Sequence, residues 1–486
     1  MMKIMVCYPP ILKNGRFPLL GQNRQFRFSS SPEVRIYPIV PSSAATMLSL
    51  EGFKVEYLDA INARLGWKEF INSMNKFRPD IVMMETKTPV VKYHWQIIDG
   101  LKEDFPDTKF VLVGDHVSYL PEESLRCSKV DYVIVGGDYD VTMLELARFL
   151  SGESKHMPPG VWYRNGDEIR SSGKPILVSN LDSIPFIDRI LTKWWLYGEA
   201  YLYHPCTYVM WGRGCAPGVC AFCVWASNLW QHRARLRSVE NVLDEIELIV
   251  DKLKVKEIFD DTDTSTWNRK WLEKLCIGLI ERGLNDKVYI SCNARADNLD
   301  REICKLMKKA GFRLLKVGLE SGCDETLKRI NKLENVDKVR RGIKNAKDAG
   351  LNVLMTIMVG YPWETYEDFE KTYQLAKELM LYKTHVGDSL QASVVIPYPG
   401  TPMYFEALKE GWFLIDPKDY EAYDMSRPVL KTPIPADEVM DICDKLWKIH
   451  LHPAFIAKTV LSIRKLNDLR LLWQGFRSIL GHTKDF

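Results

Sequence analysis

The chain has 486 residues, too many for one ordinary compact domain, so two or three are expected. A composition of 46% hydrophobic and 27% charged residues is that of a folded chain, and a net charge of +3 gives no case for a nucleic-acid partner. No window approaches about 18 consecutive apolar residues, which argues against a membrane span, and the short apolar run ending at Pro10 has neither the length nor the cleavage region of a signal peptide.

The first 150 residues alternate short strands with helices. Strands are predicted at Ile4–Tyr8, Lys54–Asp59, Asp80–Glu85, Lys109–Asp115 and Asp131–Gly136, with helices near 42–51, 67–77, 92–105, 121–127 and 139–151 between them. That order argues for an α/β domain with a five-stranded parallel sheet covered on both faces. Ligands of such sheets bind outside the carboxyl ends of the strands. Pro9, Asp59, Thr86 to Thr88, Gly114 to His116 and Gly136 to Asp138 are placed there.

Residues 151–200 break the pattern and read as a linker, with a hairpin across Asn165-Gly166. A second alternating series occupies 201–402, with strands at Thr207–Trp211, Glu257–Asp260, Val288–Ser291, Leu314–Gly318, Asn352–Met358 and Ser389–Val395. Six strand–helix units suffice for a partial barrel with functional residues at its strand ends. Residues 403–486 read as a mostly helical carboxy-terminal domain. Within it, 454–480 interleave Lys458, Arg464, Lys465, Arg470 and Arg477 with Phe455, Ile456, Val460, Ile463, Leu471, Leu472, Trp473, Phe476 and Ile479. Such a segment suits a peripheral membrane surface or a lipid substrate; the alternative is a terminal helix packed on the barrel with its basic face in water.

Of eleven cysteines, Cys7, Cys127, Cys276, Cys292, Cys304 and Cys443 stand alone and are expected as buried small hydrophobes in a cytoplasmic chain with reduced thiols. Cys215, Cys220 and Cys223 differ. They share one loop, Arg213-Gly214-Cys215-Ala-Pro-Gly-Val-Cys220-Ala-Phe-Cys223, directly after a predicted strand. Soft thiolates at short spacing favour zinc or an iron–sulfur cluster. A closed zinc site takes four ligands. Cys206 and His204 precede the strand, and His232 lies in a basic run, so a fourth ligand is not evident.

This loop, and the polar or Gly-rich ends of the strands after it, resemble the radical S-adenosylmethionine (SAM) superfamily. Three cysteines there hold a [4Fe-4S] cluster whose open iron binds SAM. The first cysteine gap here is four residues rather than the usual three. The resemblance covers about 205–402 and implies a SAM site drawn from Phe222, Asp261, Arg295, Gly318, Glu320, Ser321 and Gly360. In it Arg295 pairs with the SAM carboxylate, Glu320 and Ser321 hold ribose hydroxyls or the amino group, Gly318 and Gly360 admit close backbone approach, and Phe222 lies near the adenine. Asp260, Asp261 and Asp263 either bind hydroxyls or cap the helix near Asn268.

The amino-terminal domain looks like the flavodoxin-like cobalamin-binding domain of some members. That resemblance implies a corrin beside Pro9, Thr86, Thr88, Gly114, Asp115, His116, Tyr119, Gly136 and Gly137. The Asp-x-His-x-x-Gly pattern is absent, so no histidine ligand to cobalt is expected from it. By the Val-Trp225 continuation and the Arg233–Ser238 run, the chain is most similar to enzymes near the anaerobic magnesium-protoporphyrin ester cyclase. It is also similar to the lipid-cyclitol enzymes of hopanoid and calditol biosynthesis. The resemblance implies reductive SAM cleavage to a 5′-deoxyadenosyl radical and attack on an unactivated carbon of a lipid-like or isoprenoid-linked substrate. Ring formation, rearrangement and cobalamin-dependent methylation all stay open, with a one-electron donor such as flavodoxin or ferredoxin. A methylase of a small natural product and a cluster-containing regulatory or scaffold protein are the alternatives.

Overall fold

The computed structural model describes residues 1–21, 28–29 and 34–482, the last seven by backbone alone. Its first sheet has five parallel strands in the spatial order Lys54–Asp59, Lys3–Tyr8, Ile81–Thr86, Lys109–Gly114 and Tyr132–Ile134. This is the flavodoxin-like order, with its switch point between Lys3–Tyr8 and Ile81–Thr86. Helices cover both faces, so all six residues of Ile81–Thr86 are buried. Phe70, Met74, Trp95 and Ile98 pack on one side, and Val40, Leu48, Met143 and Leu146 on the other.

The hairpin expected inside a linker instead extends this sheet. Val161–Asn165 pairs antiparallel with Tyr132–Ile134, and Glu168–Ser171 pairs with it in turn, giving seven strands. The Asn-Gly turn marks the hairpin locally, but its pairing with an edge 25 or more residues away is a tertiary event.

The second sheet has six parallel strands in chain order: Cys206–Val209, Glu257–Asp260, Tyr289–Ala294, Phe312–Glu320, Asn352–Val359 and Ser389–Val394. Helices follow on its convex side, and the result is a partial (β/α)6 barrel. At its amino-terminal end Arg313 donates Nε and Nη2 to Glu257, at 3.0 and 2.7 Å, and Ser291 also bonds Glu257. This buried charge pair closes that end, with Arg313 Nη1 left without a hydrogen-bond partner.

After Pro402–Lys409 the chain forms no α-helix until Ala436, with one short 3-10 helix at Tyr420–Tyr423 between. This irregular stretch reaches back to the first domain: Lys13 meets Asp424 at 2.6 Å, Tyr93 Glu421 at 3.1 Å, and Tyr420 Glu123 at 2.8 Å. The helix Ala436–Trp447 then packs along the last barrel strands, with Val439 against Gly360, and Pro453–Leu461 and Leu466–His482 cover the amino-terminal end of the barrel. Leu390 donates its N–H to His450 Nε2, Val386 to Ser462 Oγ, and the Tyr203 hydroxyl to Asp468. Of the six cysteines expected as buried, five are; Cys127 is exposed because it ends a surface helix. No helix among the described residues is long and apolar enough to cross a membrane.

Candidate active site

The first barrel strand runs into Gly212–Arg213, which pairs antiparallel with Arg235–Leu236, and then into the cysteine loop. Two glycines make that loop possible. Gly214 has φ +89, and a Cβ there would strike the Arg233 carbonyl; Gly218 has φ +64, and a Cβ would lie 2.5 Å from the Cys215 carbonyl oxygen. Both flanks are braced. His232 Nδ1 sits 2.6 Å from the Gly218 carbonyl, Asn331 donates to the Val219 carbonyl at 3.1 Å, and Ala221 N–H to Ile330 at 2.8 Å. His232 therefore supports the loop's backbone, and His204 and Cys206 lie at the far end of the strand, bonded or close to one another and to Glu199.

Cys215, Cys220 and Cys223 all line one cavity of about 260 Å³. Burial pushes the Cys215 thiol up to about 12, with Asp263 and Cys220 adding to the rise, and burial likewise raises Cys220 and Cys223. Thiols so reluctant to ionise become ligands only against the charge of a metal centre. Among the described residues no three His, Cys, Asp or Glu side chains are grouped tightly enough for one ion. A cube takes its thiolates at separate corners, so the donor set fits a cluster.

The ends of the other barrel strands complete the cavity. Phe222, Arg295, Gly318 and Glu320, expected near SAM, all line it. Arg295 is held by Asp297, from Nε at 3.1 Å and Nη2 at 2.8 Å, and by the Lys332 carbonyl. Glu320 adopts a left-handed φ of +61 at a bulge in its strand, a costly conformation for a side-chain-bearing residue. Lys332 holds it there through a 2.8 Å bond to Oε1, and lies 3.6 Å from Glu334. Burial opposes the Lys332 charge, but the Glu320 and Glu334 carboxylates overcome it and keep the ammonium above its usual pKa. Gly318 leaves the space this pair fills: a Cβ would strike Glu320 Oε1 and lie 2.6 Å from Lys332 Nζ.

Three expected residues stand off the cavity wall. Asp261 is fully buried below it, and Asp263, two residues on, is the carboxylate at the wall. Asp263 accepts Gly214 N–H at 2.8 Å; burial, with Asp261 adding to it, raises its pKa to about 7. Asp260 organises the turn by accepting from Trp211 and Thr262, while the helix near Asn268 is capped by Asn268 itself. Ser321 and Gly360 converge on Glu364 behind the wall, at 3.3 and 3.2 Å. Lys332 was not singled out from the sequence because a lysine in a helix–turn stretch reads as solvated. Its offset of 12 residues from Glu320 is a signal only when the fold is known.

The amino-terminal domain enters the same cavity through Lys87 and Asp115, and the irregular stretch through Met425. Asp115 is buried, its pKa raised by burial against the pull of Lys87, and its Oδ1 has no hydrogen-bond partner. Of the other residues placed near a corrin, Thr86 bonds His94 at 3.0 Å, Thr88 bonds His116 at 3.1 Å, and Pro9 is buried just after the end of its strand. Gly114, at φ +121, lies flush on the Thr86 carbonyl, and Gly137 on the Trp230 ring. Ser118 Oγ donates to the Gly114 carbonyl and accepts Gly136 N–H, joining the two turns. Beside them a second cavity, of about 920 Å³, is walled by Tyr119, Val135, Trp162, Pro175 and Tyr420. His116 lines neither cavity. It is fully buried, edge-on to Tyr420 at 4.6 Å. Asp138, placed with Gly136 and Gly137 at the end of its strand, is instead consumed by Arg213 and Arg235. An orphaned carboxylate oxygen at a shared wall, glycine-lined turns and an adjoining cavity fit a bulky cofactor at the carboxyl ends of this sheet.

Comparison with known proteins agrees with this division. The model of the B12 binding domain matches residues 31–143 and that of the radical SAM superfamily residues 209–376, together more than half of the chain. The chain is 27% identical over 417 residues to an uncharacterized methyltransferase of Pyrococcus horikoshii, covering 85% of this chain and 87% of that one. It is 26% identical to the anaerobic magnesium-protoporphyrin IX monomethyl ester cyclase of Cereibacter sphaeroides over 77% of this chain, but spans only 60% of the cyclase. Hopanoid C-3 methylase of Methylococcus capsulatus is 24% identical, with 85% of this chain and 78% of the methylase covered. In fold the chain is similar to the radical SAM methyltransferase TsrM of Kitasatospora setae, solved with cobalamin and a [4Fe-4S] cluster, with a TM-score of 0.69 at 17% identity covering 94% of this chain and 91% of that one. The chain belongs to the radical SAM enzymes that carry a B12-binding domain, whose cofactors are S-adenosylmethionine, a [4Fe-4S] cluster and cobalamin.

Proposed function

We propose that the enzyme methylates an unactivated carbon of a lipid-like or isoprenoid-linked substrate. The observation that carries this reading is the single cavity onto which the cysteine loop and the B12-binding domain both open. Its wall between them is largely apolar, with Met358, Ile396, Tyr398, Met425 and Trp225, which suits a hydrophobic substrate. The likeness to hopanoid C-3 methylase supports the same class.

When bound, the cluster with SAM supplies hydrogen abstraction from carbon, and cobalamin supplies methyl transfer. The chain's own residues bind, orient and exclude water. Cys215, Cys220 and Cys223 hold the cluster. Arg295 and Lys332 offer cationic groups to a carboxylate, with Asp297, Glu320 and Glu334 fixing their positions. Phe222 packs beside the cysteines where an adenine ring has apolar contact. Asp115 faces the corrin side.

Ring formation is the second reading, carried by the likeness to the cyclase. The two differ in by-products under anaerobic turnover with a one-electron donor of the flavodoxin or ferredoxin class. Methylation yields S-adenosylhomocysteine together with 5′-deoxyadenosine, and ring formation yields 5′-deoxyadenosine alone. Release of neither leaves a regulatory or scaffold protein. Peripheral membrane contact through residues 454–480 belongs to this same reading.

A further inference from the structure

We infer that the carboxy-terminal helices hold the enzyme on an anionic membrane surface by the end of the barrel opposite the cofactor cavity. This deepens the peripheral contact proposed above and is independent of which reaction the cavity performs. An amphipathic helix packed on a protein normally turns its apolar stripe inward. Here Phe455 and Leu471 do so, but Ile456, Val460, Leu461, Leu466, Leu469 and Trp473 are 47–78% exposed. These 18 residues hold six of the 21 large apolar side chains that stand exposed among the described residues. Leu466, Leu469 and Trp473 recur at i, i+3 and i+7, so they form one outward stripe, and Arg470 lies beside it. Patches this concentrated mark a contact surface.

Charge identifies what covers it. From Lys445 to Phe486 the sequence has eight Lys and Arg against two Asp, a net +6, whereas the whole chain carries +3. Beside the stripe itself, within 456–473, Lys458, Arg464, Lys465 and Arg470 stand against the single acid Asp468, so cations predominate there. Two copies of this face would repel one another; an anionic lipid surface satisfies both the charge and the apolar side chains, with a tryptophan at headgroup depth.

Position fixes the orientation. The helices touch Tyr203, Tyr289 and Val386, all at the amino ends of barrel strands, while the cysteines and Glu320 lie at the carboxyl ends. The patch thus tethers the enzyme with the cavity at the far end, and it is not a wall of the substrate site.

Co-sedimentation of the full chain tests this with vesicles of phosphatidylcholine alone and with added phosphatidylglycerol. The expected result is binding to the anionic vesicles only, weakened at least tenfold by 0.5 M salt and by the triple substitution Leu466→Ser, Leu469→Ser and Trp473→Ser. Cys215→Ala should bind as wild type does, so a wrong assignment of the cavity leaves this result unchanged. If the triple variant unfolds, Lys458→Glu with Arg470→Glu gives the same readout through charge. Absence of binding to anionic vesicles, equal binding by the variants, or self-association lost in the triple variant would overturn the inference.

Discussion

Arg213 and Asp140 form a two-point ion pair, Nη1 to Oδ1 at 2.9 Å and Nη2 to Oδ2 at 2.5 Å, between the root of the cysteine loop and the B12-binding domain. Both side chains are almost fully buried, and Arg213 also donates to Asp138, which Arg235 shares. The first cysteine is two residues from Arg213. The placement of the loop against the first domain is thus set by fixed charges and not by packing alone.

Arg213→Met leaves two carboxylates buried with only Arg235 to answer them. A loss of about 3–5 kcal/mol is expected, read as a lower Tm and faster proteolysis between the domains. Adding Asp140→Leu should recover part of the loss, since the pair is then removed together.

Lys332→Met removes the cation that holds Glu320 in its left-handed conformation. SAM affinity should fall tenfold or more in equilibrium binding, with iron content unchanged, and Lys332→Arg should restore part of it. Unchanged SAM affinity would place Lys332 outside the binding site.

Gly114→Ala puts a Cβ against a backbone carbonyl at φ +121, where neither neighbour can yield. A cost of about 1–3 kcal/mol is expected in the first domain, with loss of corrin uptake measured by absorption after loading with hydroxocobalamin. The bound corrin in the wild type should show no histidine ligand.

Glu364 is buried, and burial raises its carboxyl from 4.5 to about 8, against the pull of the Tyr361 and Gly360 N–H groups. Between those two values the folded chain keeps a proton that the unfolded chain has released. Stability from this group is therefore full below about 4.5 and is lost as pH rises through 8. Glu364→Gln fixes the neutral form, so it should match wild type near pH 5 and exceed it at pH 9 by on the order of 1–3 kcal/mol. Parallel denaturation curves at the two pH values check this.

The strands of both sheets were legible because each is a short apolar run bounded by polar or glycine residues, and the observed strands end within about three residues of the expected ones. The cysteine loop was legible from spacing. What escaped depended on the third dimension. Asp261 and Asp263 differ only in where the chain turns after Asp260, and Asp138, placed at a strand end where ligands bind, is taken by Arg213 and Arg235. The outward apolar stripe of the last helix has the same periodicity as an inward one; only packing shows which way it faces.

The central claim is that three cysteines on one loop hold a SAM-cleaving cluster. Anaerobic iron, sulfide and zinc analysis of the reconstituted protein, with 5′-deoxyadenosine assayed in the same samples, tests it most directly. Wild type should carry about four irons and release 5′-deoxyadenosine on reduction with SAM. The Cys215→Ala, Cys220→Ala, Cys223→Ala variant should do neither. A variant that retains its iron, or a wild type that holds tight zinc and releases no 5′-deoxyadenosine, would contradict the account.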